Sequence, residues 1–284
     1  MQTVFISILF FLTSCSSSLI KDPVRAWEST QGIKTPESTL YVKELDLIFI
    51  SNINGGGNSK DSKGHISKYS KNGEVLQEEW ITGLNAPKGM GYSKGYLWVS
   101  DIDQVVAINT KTNRIEKTID IKGAQFLNDV AIDHQGIIYI SDTIGSKIYK
   151  IENDAASIFM EGERLESPNG LWFEKGTLYV AAWGLTTDWS TEVPGRLYKI
   201  NTNTKKITYI SKEPLGHLDG LERETHKSFL VSDWSAGKIY RIQENGKTEL
   251  VFQGSKGLAD IGYIKASKAI IVTYMNDNII FSLK

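Results

Sequence analysis

A short apolar segment ending in a small or acidic corner recurs six times along this chain, at residues 47–52, 96–101, 138–142, 178–182, 229–233 and 269–273. After most of these comes a second segment, usually a basic residue followed by alternating apolar residues, at 65–69, 104–108, 147–151, 196–200, 238–242 and 278–282. Both are rich in β-branched and aromatic residues, as strands are. A third segment follows at 74–81, 114–119, 206–210 and 248–252, and Asn72-Gly73 and Asn245-Gly246 predict two-residue hairpin turns. An inner segment, such as 128–132 or 169–173, precedes each unit. Four strands per unit at a period near 40 residues is the signature of a propeller blade.

The sixth unit stops at Lys284 with three strands. Residues 25–30 form a strand-like segment with no unit of their own, and pairing them with the last unit closes the ring and removes an open sheet edge. The reading is an all-β protein, one six-bladed β-propeller over residues 23–284, its last blade closed by an N-terminal strand.

Residues 1–14 read as a signal peptide, because the apolar run 4–12 is too short to span a bilayer. Leu12-Thr13-Ser14-Cys15 resembles the bacterial lipoprotein cleavage box, which makes Cys15 a lipidated first residue and 15–22 a lipidated cysteine with its polar tether. The expectation is an extracytoplasmic lipoprotein, periplasmic or at the cell surface, held on a membrane through Cys15. An ordinary signal peptide with an incidental cysteine is the alternative. The single cysteine excludes an intramolecular disulfide and any cysteine-based zinc or iron–sulfur centre. A net charge of −1 argues against a nucleic-acid partner.

The entrances to the inner strands align as Pro36-Glu37-Ser38, Pro87-Lys88-Gly89, Leu127-Asn128-Asp129, Pro168-Asn169-Gly170, Leu218-Asp219-Gly220 and Leu258-Ala259-Asp260. Inner strands line the channel, so the middle residues form a ring around one point. Glu37, Asn128, Asn169 and Asp219 bring two carboxylates and two amides, a donor set suited to Ca²⁺ or another divalent cation. Asn and Asp also make turns for purely local reasons, a reading that does not cover Glu37. Lys88 is the odd member: it either pairs with Glu37 or Asp219, replaces the cation, takes part in catalysis, or runs along the channel to solvent.

This pattern resembles the gluconolactonase/regucalcin family and, more distantly, the paraoxonases and squid-type diisopropylfluorophosphatase. The resemblance covers most of residues 23–284 and rests on Glu37, Asn128-Asp129, Asn169-Gly170 and Asp219-Gly220 falling in the matching blades. It implies a six-bladed propeller with a Ca²⁺ ion in the channel. By the same resemblance Glu37, Asn169 and Asp219 are metal ligands, Asn128 is a substrate or further metal contact, and Asp219 is the general base. Gln125-Phe126-Leu127 stands where sugar-lactone members of the family often carry an arginine.

His217, two residues before Asp219, is a second candidate base. The second strands end at Asn52, Asp101, Asp142, Trp183, Asp233–Trp234 and Tyr274, on the same mouth. Their acids read as turn formers or as supports behind the direct ligands, while Trp183 and Trp234 read as pocket walls. Two units are longer, with ring spacings of 51 (37 to 88) and 50 (169 to 219) against 40 or 41 elsewhere. Their surplus, residues 54–61 and 184–194, is expected over the mouth. The chain lacks a Gly-x-Ser-x-Gly elbow, which disfavours an acyl-serine route of that kind. Two functions follow: a metal-dependent hydrolase of lactones or related esters acting on a small-molecule substrate, or a non-catalytic propeller that binds a ligand or protein, its metal structural or absent.

Overall fold

Ring closure is made by β1 (Arg25–Ser29), which pairs antiparallel with the last strand of the chain in the register Trp27↔Ser282, Glu28↔Phe281, Ser29↔Ile280. The computed structural model describes residues 23–284, so residues 1–22, with the expected signal peptide and Cys15, lie outside the described residues. Blade 1 holds β2 (Pro36–Val42), β3 (Leu47–Asn52), β4 (Gly64–Ser70) and β5 (Val75–Leu84). Blade 2 holds β6 (Pro87–Ser93), β7 (Tyr96–Asp101), β8 (Gln104–Asn109) and β9 (Arg114–Asp120). Blade 3 holds β10 (Leu127–Ile132), β11 (Ile138–Asp142), β12 (Lys147–Glu152) and β13 (Ala155–Glu161). Blade 4 holds β14 (Pro168–Glu174), β15 (Thr177–Ala182), β16 (Leu197–Asn201) and the short β17 (Ile207–Tyr209). Blade 5 holds β18 (Leu218–Thr225), β19 (Ser228–Asp233), β20 (Lys238–Gln243) and β21 (Thr248–Gln253). Blade 6 is β22 (Leu258–Ile264), β23 (Ala269–Tyr274) and β24 (Ile279–Leu283), completed by β1 in the order β1-β24-β23-β22. One 3₁₀ turn, Glu163–Leu165, is the sole helix among the described residues.

The core lies between blades. Each of the six interfaces carries its own apolar cluster, such as Phe49 and Ile66 against Leu97 and Val99 between blades 1 and 2. Ile48 and Ile50 against Ile271 and Ile280 make the closing interface between blades 1 and 6. Second strands contribute to both sides, which is why residues such as Ile138–Asp142 are buried throughout rather than on alternate faces. The outermost strands alternate or face water, as β9 does.

The hairpin expectation needs correction. At Asn72-Gly73 only Gly73 takes a positive φ (+87°), Gly73 N–H donates to Ser70 O, and Ser70 N–H donates to Glu74 O. Asn245-Gly246 behaves alike, with Gly246 at +88°. These are three-residue loops, a turn followed by a left-handed glycine, and not two-residue turns with positive φ at both positions.

Candidate functional site

All six inner strands break register at their first residues, between Pro36/Ser38, Pro87/Met90, Leu127/Val130, Pro168/Leu171, Leu218/Leu221 and Leu258/Ile261. The ring residue sits inside each break. A bulge there turns the side chain out of the strand's own alternation and toward the axis.

The corner motif holds this ring in place by two devices. Its Ser or Thr reaches from one blade to the next: Ser141 Oγ donates to Asn169 O (2.7 Å), Ser232 Oγ to Ala259 O (2.8 Å) and Thr273 Oγ1 to Glu37 O (3.2 Å), while Ser100 Oγ bonds Asn128 O. Ser141 and Ser232 also accept the N–H groups of Asp129 and Gly220, which the bulge leaves free of the ladder. The acid or amide that follows clamps the chain entering its own blade. Asp101 accepts from Asn85 N and Ala86 N, Asp142 from Gln125 N and Phe126 N, and Asn52 from Lys34 N. Asp142 and Asp233 also make local turn bonds, from Gly145 N and Ala236 N, but the bonds to the incoming chain make Asp101, Asp142 and Asn52 supports of the segments that lead to the ring residues. Close packing completes the ring: a Cβ on Gly170 would collide with the Asp219 carbonyl oxygen.

Glu37, Lys88, Asn128, Asn169 and Asp219 converge on one cavity of about 520 Å³ at the mouth, together with His217, Trp183 and Trp234. Ala259, the sixth ring residue, carries no polar group. Glu37 Oε2, both Oδ1 and Nδ2 of Asn169, His217 Nε2 and Trp183 Nε1 are buried and without a hydrogen-bond partner. Burial pushes the Glu37 carboxyl well above its usual range, with the Asp219 charge adding to it and Lys88 opposing it. Asp219 is pushed up to about 8 by burial and then by the charge of Asp129.

Of the alternatives for Lys88, pairing with an acid and running to solvent are not what the structure shows. The side chain is fully buried, so it does not run to solvent, and among the described residues it forms no salt bridge. Its Nζ donates to Ala86 O (2.9 Å) and lies 4.1 Å from the centre of the Phe126 ring. Burial lowers it to about 8, with Glu37 and Asp101 pulling the other way.

His217 stacks on Trp183 (4.9 Å, 17°), and its Nδ1 lies 2.7 Å from Ser235 Oγ. In the tautomer where Nδ1–H donates to Ser235, the bare Nε2 is an acceptor facing the cavity. Residues 184–194 do lie at the mouth: Trp189, Thr191 and Glu192 line it. Residues 54–61 are not among the lining, although Ile53 is. Phe126, Trp189, Ser235 and Lys256 were not singled out from sequence. Phe126 had a signal, since it precedes Asn128 by two as His217 precedes Asp219.

Below the ring, Asp129 and Asp260 occupy the next layer, and with Glu222 they line a second cavity of about 290 Å³. Asp129 accepts from Leu171 N (2.6 Å) and Val130 N (2.7 Å), Asp260 from Ser38 Oγ (2.5 Å) and Ile261 N (2.7 Å), so both tie neighbouring strands together. Among the described residues no cluster of three His, Cys, Asp or Glu side chains is placed to hold a metal. The mouth's two acids and two amides include the unpartnered oxygens Glu37 Oε2 and Asn169 Oδ1, the donor type a hard divalent cation takes, with the Lys88 ammonium lining the same cavity.

No family model matches the chain, and no curated protein matches it. Solved structures do. A streptogramin B lyase shares 12% identity at a TM-score of 0.63, over 91% of this chain and 97% of that one. A catalytically inactive histidine-to-alanine variant of virginiamycin B lyase from Staphylococcus aureus, with quinupristin, shares 14% at 0.57 over 93% and 98%. The WD40 propeller domain of Doa1 shares 11% at 0.64 over 87% and 77%. At these identities the likeness establishes the propeller fold, which the six blades bear out.

Proposed function

We propose that this propeller is a divalent-cation-dependent hydrolase of lactones or related esters, with Ca²⁺ the ion its donors suit. One observation carries the reading: Glu37 Oε2 and Asn169 Oδ1 are buried at the mouth without a partner, beside Asn128 and Asp219. A buried polar atom left bare costs about 1–3 kcal/mol, so these acceptors call for a ligand. Glu37 and Asp219 would hold the ion through carboxylates, Asn128 and Asn169 through amide oxygens. When bound, such an ion polarises a carbonyl oxygen.

The chain's own residues supply the remainder. His217 Nε2 takes the proton of the attacking water, and Ser235 and Trp183 hold the imidazole in one orientation. The water oxygen bonds to the carbonyl carbon, the acyl–oxygen bond breaks, and the proton passes to the departing alkoxide. Asp219, the base that the family resemblance implies, is the alternative acceptor of that proton. Lys88, Trp183 and Trp234 bind the substrate, with Lys88 facing the carboxylate that forms. By the same proposal the chain is an extracytoplasmic lipoprotein anchored through lipid on Cys15, which palmitate labelling of Cys15→Ser against the natural chain tests.

Lys88 favours a second reading, a binding propeller whose fixed ammonium stands where an ion would sit. The lyases among the structural neighbours suggest a third chemistry, in which His217 removes a carbon-bound proton and no water is consumed. Metal analysis of the purified soluble propeller, with a Glu37→Gln/Asp219→Asn double variant beside it, separates the first two. About one Ca²⁺ per chain, lost in the variant, supports the hydrolase. No metal in either, with Ca²⁺ added, leaves the Lys88 reading. Incorporation of ¹⁸O from water into the product separates hydrolysis from elimination.

A further inference from the structure

The ring's polar groups line the mouth together with four aromatic side chains, Phe126, Trp183, Trp189 and Trp234, and a polar set of Thr191, Glu192, Ser235 and Lys256. Trp189 meets Phe126 edge-on from blade 3 (4.8 Å, 70°) and Trp183 edge-on from blade 4 (5.0 Å, 87°), so the three make an arch over part of the opening. Trp189 is still 37% exposed, and its φ of +67° is rare for a bulky side chain. Core packing explains neither feature.

The loop is nevertheless pinned. Trp189 N–H donates to Thr186 Oγ1 (2.9 Å), and Thr186 N–H donates to Ser167 Oγ (3.0 Å). Thr186 and Ser167 are both buried, and Ser167 lies two residues before Asn169. The strained turn therefore hangs from the same segment that sets the blade-4 ring residue. A backbone held in a sparsely populated conformation by its surroundings, at the lip of a cavity, points to a ligand contact.

A ligand whose carbonyl reaches Asn128, Asn169 and Lys88 has the rings of Phe126, Trp183 and Trp189 within reach of its remaining atoms. Planar apolar groups find ring faces and edges to pack on there. We propose that Trp189, with Phe126, is a specificity-determining residue that selects lactones and esters bearing a planar apolar ring beside the reacting carbonyl. This rests on the ester-opening reading of the mouth, but its test does not need turnover.

The probes are two unreactive lactams, 3,4-dihydroquinolin-2-one and piperidin-2-one, which share the cyclic amide and differ by the fused benzene ring. Calorimetric titration of the natural chain should show at least tenfold tighter binding of the fused lactam. Trp189→Ala should cut that preference to below threefold and Trp189→Phe should keep most of it. Phe126→Leu, read alongside, should lower it as well. Equal binding of the lactams, binding of neither, or a preference unmoved in Trp189→Ala overturns the inference. The matched lactones, dihydrocoumarin and δ-valerolactone, are then assayed for hydrolysis. Lactam preference without hydrolysis leaves this inference standing and removes the hydrolase; hydrolysis of both lactones without lactam preference does the reverse.

Discussion

Replacing Lys88 by methionine should make the protein more stable, and by an amount that depends on pH. Lys88 is fully buried, and burial holds its ammonium at about 8 against an ordinary value of 10.5. At 1.36 kcal/mol per unit, that difference is about 3 kcal/mol of destabilisation at neutral pH. Methionine fills similar volume without the charge, and it loses the bond to Ala86 O, worth about 1 kcal/mol. The net gain expected at pH 7 is about 2 kcal/mol. The sign with pH follows from proton counts. Between the folded and unfolded values the unfolded chain binds more protons, so the natural chain gains stability as pH rises from about 8 toward 10.5. The advantage of Lys88→Met should therefore shrink by about 2 kcal/mol between pH 7 and pH 9.5. Urea unfolding of both chains in chelator, with equal slopes, measures it. A variant less stable at pH 7, or a difference flat with pH, would falsify the account of Lys88 as a buried charge without a carboxylate partner. A stabilised variant that no longer binds the lactams would mark Lys88 as a site where stability yields to function.

Other perturbations follow from the same geometry. Gly170→Ala drives a methyl into the Asp219 carbonyl and should lower stability by about 2–4 kcal/mol, seen as a fall in melting temperature. Ser141→Ala strands Asp129 N–H and Asn169 O, and should cost about 1–3 kcal/mol by urea unfolding while weakening ligand binding at the mouth. Removing residues 23–30 strips β24 of its partner, so the shortened chain should melt earlier and self-associate by light scattering. Glu222 is pushed up to about 8 by burial and by the Asp129 charge. The folded state holds its proton more tightly, so stability is greatest in acid and declines as pH rises from about 4.5 to 8; Glu222→Gln should flatten that decline in a melting-temperature profile.

The six-bladed ring, its closing strand and the five polar ring residues were all legible in the sequence. The physical reason is symmetry. Equivalent positions of a repeat occupy equivalent heights, so aligning the entrances placed Glu37, Lys88, Asn128, Asn169 and Asp219 on one floor without any knowledge of side-chain contacts. His217 was legible for the same reason, and Phe126, its counterpart in blade 3, was there to be found by moving the alignment two residues upstream. Tertiary structure alone decided what repeat symmetry leaves open. The environment of Lys88 combines its burial, the charges of Glu37 and Asp101 and the Phe126 ring, and none of these follows from its position in the repeat. The hydroxyl clips from Ser141 and Ser232 to the next ring residue depend on how closely blades pack. Trp189 lies in one of the two extended loops, which differ in sequence, so no repeat constrains it. Its place between Phe126 and Trp183 is set by buried Ser167 and Thr186 and by the rings that meet it there.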